Sequence, residues 1–310
     1  MNNSIRTIAL GSVSALALAA LAGNASAASV DVYGWIHGTA TYEDVSGSSL
    51  QFGGGSDNNS GSRFGIRGSM DLAPGLTGVA QVEYGIVDRQ GAADGSRVNL
   101  RLANAGLRFD DVGTLLLGSQ WTMHYIWVSS QTDIFFGSQQ QTTNAGQTLF
   151  RYDNAASFTT ANMGGVQLHL AAQAARGTDD DVDLLHAAIR FNSGPVTVAA
   201  SIADQQATGG ETFLAVAGTF DAGAAKVSGL ISMLDEADLT NWELAIAAPV
   251  TAEWTLKGKV AGFDGDDDGI GWGVEAAYSF GGGAFAYVGA GDADIDRRNL
   301  VVSTGFRVMF

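Results

Sequence analysis

Four histidines, His37, His124, His169 and His186, are the side chains of this chain best suited to acid–base chemistry near neutral pH. They fall on four separate segments, with no G-x-S-x-G elbow or H-E-x-x-H pair beside any of them. His169 and His186 sit on the polar side of alternating segments, where a lone histidine is more simply satisfied by its neighbours than catalytic. Carboxylates gather in three runs: Asp179, Asp180, Asp181 and Asp183; Asp264, Asp266, Asp267 and Asp268; Asp292, Asp294 and Asp296. Clustered carboxylates suit calcium, but "DGDDDG" lacks the bidentate glutamate of an EF-hand and lies between strand patterns. Solvated loops are the plainer reading. The sequence contains no cysteine, so disulfides and thiolate metal sites are excluded. It calls for no metal, no cofactor and no enzyme.

Two arginines carry a different signal. In "SRFGIRGSM", Arg63 alternates with Phe64 and Ile66, and Arg151 stands between Phe150 and Tyr152. Side chains alternate across a strand, so each arginine falls on a polar face backed by an apolar one. That pattern extends through the chain. After residue 27, segments of alternating hydrophobicity recur near 28–44, 61–71, 76–88, 98–109, 113–122, 147–158, 164–174, 183–192, 195–204, 211–221, 224–234, 240–248, 251–263, 270–280, 284–291 and 298–310. Most have the ~9–11 residues with which a tilted strand crosses a bilayer. Their number is sixteen, which lets an antiparallel sheet close on itself. The predicted fold is therefore all-β, a transmembrane antiparallel barrel of 16 strands. Around "RLANAGLRF" the apolar parity changes, from Leu100 and Leu102 to Leu107 and Phe109, which predicts a bulge or a face buried against another subunit.

Composition agrees with that reading. Hydrophobic residues make up 46%, yet after the leader no run approaches the ~20 residues of a membrane helix, because apolar side chains are spread at every second position. A net charge of −16 argues against nucleic acid as a partner. The leader itself, "MNNSIRTIALGSVSALALAALAGNASA", has a basic start, a short apolar run and an A-x-A end, so residues 1–27 are expected to be a cleaved signal peptide and 28–310 a single barrel domain. Connections alternate between short, with all three prolines (Pro74, Pro195, Pro249), and long, with most of the acids. Short turns belong at the periplasmic end and long loops outside. The last strand ends on Phe310, with Val308 and Phe306 on the same apolar face and Arg307 turned the other way.

The stretches "SRFGIRGSMDLAPGLTGVAQVEYGI", "RLANAGLRFDDVGTLLLGSQ" and "FRYDNAASF", followed by the terminal phenylalanine, resemble the Gram-negative general diffusion porins. The resemblance implies a water-filled, sixteen-stranded outer-membrane barrel, packed as a homotrimer, for passive diffusion of ions and small hydrophilic solutes. It implies that a long third external loop, here residues 123–146, folds inward and sets acids against wall arginines. Carried over by position, the pore constriction comprises Arg63, Arg101 and Arg151, with Asp133 on the loop. Phe310 matches the family's assembly signal, which makes the barrel assembly machinery and outer-membrane lipid partners. Three positions depart from the family pattern: Trp35 and Ser119 stand where a basic residue is common, and Phe136 and Gly137 stand where the loop would carry glutamate. Three arginines then face about one carboxylate, which predicts a weak anion preference opposed by the acidic mouth. The alternatives within the fold are a channel selective for anions or sugars, with Trp35, Tyr125 and Trp127 as pore-lining aromatics, and an outer-membrane barrel hydrolase. A soluble β-sandwich fits the alternation but not the strand count.

Overall fold

The computed structural model describes residues 28–44, 48–53, 61–86, 98–137, 149–175, 182–206, 210–235, 238–264, 269–292 and 300–310. The leader and much of the acidic runs lie outside the described residues. Each of the sixteen alternating segments forms a strand. They are β1 (Ala28–Asp44), β3 (Arg63–Ala73), β4 (Leu76–Ile86), β5 (Val98–Phe109), β6 (Gly113–Trp121), β7 (Arg151–Thr160), β8 (Val166–Ala174) and β9 (Val182–Ser193) in the first half. The second half contributes β10 (Val196–Gln205), β11 (Thr212–Asp221), β12 (Lys226–Leu234), β13 (Leu239–Pro249), β14 (Trp254–Asp264), β15 (Gly269–Gly281), β16 (Ala284–Asp292) and β17 (Leu300–Met309). A further short strand not expected from the sequence, β2 (Ser48–Gly53), is a spur: among the described residues it pairs only with the outer half of β1, from Thr39↔Gly53 to Asp44↔Ser48.

All ring neighbours are antiparallel, and the ring closes where β1 meets β17, from Trp35↔Met309 to Asp44↔Leu300. The staves are thus β1 and β3 to β17. Polarity is inverted relative to a soluble domain. Outward positions carry exposed apolar groups such as Val32, Ile66, Leu117, Leu170, Val216, Leu244, Val274 and Val308. Inward positions carry Arg63, Glu83, Glu243, Lys257, Lys259, Glu275 and Arg307, all under a tenth exposed. Hydrocarbon outside and water inside favour this arrangement, since an arginine on the lipid side at mid-depth costs about 2–4 kcal/mol.

Turn chemistry fixes one end. In Ala73-Pro74-Gly75-Leu76 proline presets the second position and Gly75 takes φ 75°, the left-handed conformation a type II turn needs at its third. At that end an outward aromatic chain, Trp254, Tyr278, Phe280 and Phe306, links ring to ring with centroid separations of 5.1, 4.9 and 6.0 Å. Such rings belong at a membrane–water boundary. The change of parity in β5 is a bulge: Glu83 faces Leu102 and Tyr84 faces Leu100, so Arg101 is the extra residue. Leu100 is exposed on the outside, whereas Leu102 is fully buried on the inside.

Closure also depends on a glycine. Phe310 and Gly34 exchange both backbone hydrogen bonds at 3.0 Å, and the Phe310 ring covers the Gly34 α-carbon. A β-carbon at Gly34 would lie 2.5 Å from the Arg63 carbonyl oxygen and 2.9 Å from that ring, whereas one at Gly38, on the same strand, meets nothing within 4 Å. Gly34→Val is therefore expected to lower the yield of folded, heat-modifiable barrel in outer-membrane fractions, and Gly38→Val to leave it near wild type. Phe310→Ala, which uncovers Gly34, should lower the unfolding temperature of the barrel in detergent. Equal yields of the two glycine variants would contradict this account of the seam.

Candidate functional site

Residues 122–137, which leave β6 toward β7, do not run over the surface. Thr122 pins the two ends of the connection together: its N–H donates to the Phe150 carbonyl at 3.0 Å, and its hydroxyl donates to the Leu149 carbonyl. The chain then winds through a π-helical turn, His124–Val128, and a 3-10 turn, Ser129–Gln131, neither of which the alternation foretells. Trp127 and Val128 pack onto the inner wall against Ala188, Ala199, Ala215, Ala217 and Leu230. Alanines at these inward positions leave the room that an indole fills. Hydrogen bonds fasten the same stretch: His124 Nδ1 with Ser201 Oγ at 2.8 Å, and the Thr219 hydroxyl to Gln131 Oε1 at 2.7 Å.

Farther along, the fastening uses the backbone of the loop. The N–H groups of Phe136 and Gly137 donate to Glu275 Oε2 at 2.8 and 3.1 Å, and Lys257 Nζ donates to the other oxygen, Oε1, at 2.7 Å. The Phe136 ring stacks on Phe285 at 4.0 Å and receives Lys257 Nζ 3.3 Å from its centroid. The wall thus supplies the carboxylate that the loop lacks at positions 136 and 137. Residues 138–146 of the expected loop lie outside the described residues.

Across the lumen from β14 to β16, the three carried-over arginines come together on β3, β5 and β7. Arg101 Nε donates to Glu83 Oε1 at 2.8 Å, and Arg63 Nη1 approaches the same oxygen at 3.6 Å. Both cations are largely buried, so sharing one carboxylate leaves excess positive charge. Arg63 also lies 4.1 Å over the Trp35 ring, with Arg307 5.0 Å from that ring. Arg101 and Arg151 sit 5.6 and 5.2 Å from the Trp121 ring, on which Tyr125 stacks at 5.1 Å. Asp133 faces this group and accepts the Tyr125 hydroxyl at 2.7 Å. Burial, and then the Asp133 carboxylate, push the Tyr125 phenol up from its ordinary value, so it remains a neutral donor.

Several expectations need correction. The lumen arginines do not face one carboxylate: Glu83 is a second, and Glu243 and Glu275 pair with Lys259 at 3.4 Å and Lys257 at 2.7 Å. Parity alone would have found them, since Glu83 alternates with Val82 and Tyr84, and Lys257 and Lys259 with Leu256 and Val260. Trp127 does not line the pore. It is 4% exposed beneath the loop, with Arg190 4.9 Å from its ring. Trp35 is covered by guanidinium groups rather than left open. Nor are His169 and His186 lone: their rings lie 5.4 Å apart and both hydrogen-bond the Tyr152 hydroxyl, at 3.5 Å for His169 Nε2. Among the described residues no three histidine, aspartate or glutamate side chains converge as a metal site would require. Asp179, Asp180, Asp181, Asp266, Asp267, Asp268, Asp294 and Asp296 lie outside the described residues.

The architecture has counterparts among known proteins. The anion-selective porin from Comamonas acidovorans superimposes with a TM-score of 0.75 at 20% identity, covering 92% of this chain and 100% of that one. Salmonella typhi OmpF, solved in complex with daunomycin, gives 0.72 at 13% identity over 91% of this chain and 97% of its own. At these identities the likeness is one of fold. In sequence, an outer membrane porin protein of Bordetella pertussis is 30% identical over 221 residues, 60% of this chain, and the chain spans 57% of that relative's length. The profile of the Gram-negative porins matches residues 14–298. With the closed barrel and its inverted polarity, that match gives the conclusion: the chain belongs to the Gram-negative porin family, and its place is the outer membrane.

Proposed function

We propose that the protein is a porin: a water-filled channel for passive diffusion of ions and small hydrophilic solutes. Its narrowest level is set by the segment 122–137 facing Arg63, Arg101 and Arg151. The observation that carries the reading is the charged inner wall of a closed barrel, with the Asp133-bearing loop lodged against it. Such a set has no structural purpose in a dry core, where unpaired charge costs several kcal/mol per ion. In a wet lumen it stands ready to select solutes. The barrels work as homotrimers, the form in which the Vibrio cholerae OmpT fold relative was solved. The assembly machinery acts on the terminal strand and Phe310.

No catalytic step belongs to this reading. The serine–histidine pair Ser201 with His124 is 3% and 0% exposed beneath the loop and serves to hold the loop down. Around the constriction the described cations include Arg63, Arg101, Arg151, Arg307, Lys257 and Lys259, against Glu83, Glu243, Glu275, Asp133 and, beside Arg151, Asp153. Cations outnumber carboxylates, so the constriction favours anions.

Purified protein in a planar bilayer under a potassium chloride gradient should show conductance steps grouped in threes, with a reversal potential of the sign for anion preference. A folded barrel that conducts nothing would overturn the channel reading. A unit charge about 8 Å from the ion path in a water-like dielectric is worth about 0.5 kcal/mol. Because the charge acts with opposite sign on the two ions, Arg151→Gln should therefore reduce the chloride-to-potassium permeability ratio roughly fivefold. The loop tether has its own test. Charge-assisted hydrogen bonds contribute about 1.5–3 kcal/mol each, so a barrel carrying Glu275→Gln with Lys257→Met, which avoids stranding the lysine, should show greater open-channel noise. Unchanged noise would mean that the Trp127 seat and the hydrogen bonds at His124 and Gln131 hold the loop without it.

A further inference from the structure

Resting on the channel reading, we propose that the constriction holds a transient binding site for arene carboxylates. The ring of such a solute stacks on the free face of the Arg151 guanidinium, and its carboxylate meets the terminal nitrogens of Arg101. Trp121 is the centre of the site. It carries Arg101 and Arg151 at 5.6 and 5.2 Å from its ring and Tyr125 stacked at 5.1 Å with an interplanar angle of 22°. Phe150 extends the aromatic surface, 4.8 Å from Tyr125. Trp121, Arg151, Tyr125 and Phe150 are half-buried and the Arg101 side chain is 10% exposed, so each keeps part of its surface in the lumen.

The chemistry follows from how each arginine is held. Arg63 is fixed by a shared carboxylate as well as by a ring. Arg151 differs: among the described residues it has no carboxylate within ion-pairing distance and no side-chain hydrogen bond, and Trp121 is what orients it. An aromatic surface fixes the plane of a guanidinium without neutralising its charge. Arg101 commits Nε to Glu83 at 2.8 Å, and among the described residues its terminal nitrogens make no other hydrogen bond. A pair of neighbouring guanidinium groups, one of them 5.2 Å from an indole, presents a cationic plane beside a set of donors. A planar anion with a π-face satisfies both, whereas a saturated anion of the same charge and size satisfies only the donors.

The test compares benzoate with cyclohexanecarboxylate as blockers of potassium chloride current through single wild-type channels. Benzoate should half-block at about a threefold lower concentration, the scale of one exposed stacking contact. Trp121→Leu keeps apolar bulk but removes the ring, and should bring the two half-blocking concentrations together. Arg151→Lys keeps the charge but removes the planar cation, and should do the same, which gives a second route if the tryptophan variant fails to fold. Equal block of the wild-type channel by the two anions, or a preference for benzoate that survives Arg151→Lys, would overturn the proposal and leave the channel reading intact. A folded barrel without current would remove both.

Discussion

Everything in this molecule depends on the backbone's need for hydrogen-bond partners in a medium that offers none. Each unpaired N–H or C=O facing hydrocarbon costs several kcal/mol, so a sheet crossing the membrane must have no open edge. Here the edges meet where β1 runs against β17 and Phe310 exchanges both of its backbone bonds with Gly34. Closure in turn dictates the alternation of side chains, because every strand then has one face toward lipid and one toward the interior. The bulge at Arg101 is the exception that closure tolerates: one extra residue shifts the parity, burying Leu102 and leaving Leu100 outside.

Within the closed ring, two different devices hold the cations. Lys257, Lys259 and Arg101 are held by carboxylates, which fix position and cancel charge together. Arg151 rests on Trp121, and Arg307 lies among Trp35, Phe136 and Phe285 at 5.0, 5.6 and 5.2 Å, so rings help to position both. Rings set orientation with little loss of field. The mixture decides how much charge the lumen shows to a passing solute, and it does so independently of how rigidly the side chains are kept.

Much of this was legible in the sequence. Period-two alternation located all sixteen staves, placed Arg63 and Arg307 inside and Phe306, Val308 and Phe310 outside, and signalled the irregularity in β5. Beside Arg151 it failed, because Tyr152, expected on the opposite face, is 1% exposed among the inner histidines, and Phe150 packs on Tyr125. What alternation cannot carry is register. It shows that Glu83 and Arg101 share the interior, but not that β4 and β5 slide to bring them within 2.8 Å. Nor does it describe a segment that folds into the barrel. The helical turns at His124–Val128 and Ser129–Gln131 form because Trp127 finds an alanine-lined seat assembled from β9 to β12, a tertiary cause with no local trace. For the same reason the sequence read Trp127 as a surface for solutes, and His169 and His186 as separate, although Tyr152 joins them.

The grip of Glu275 on the loop has a consequence for how such a channel can change. It takes hold of peptide N–H groups, at Phe136 and Gly137, which any residue but proline would provide. This part of the hold is therefore indifferent to side-chain identity, and what the Phe136 ring adds by stacking on Phe285 is separate from it. The lining at this point of the lumen is open to change while the peptide N–H bonds to Glu275 persist. A lineage could retune what it admits without first rebuilding the frame that holds the gate.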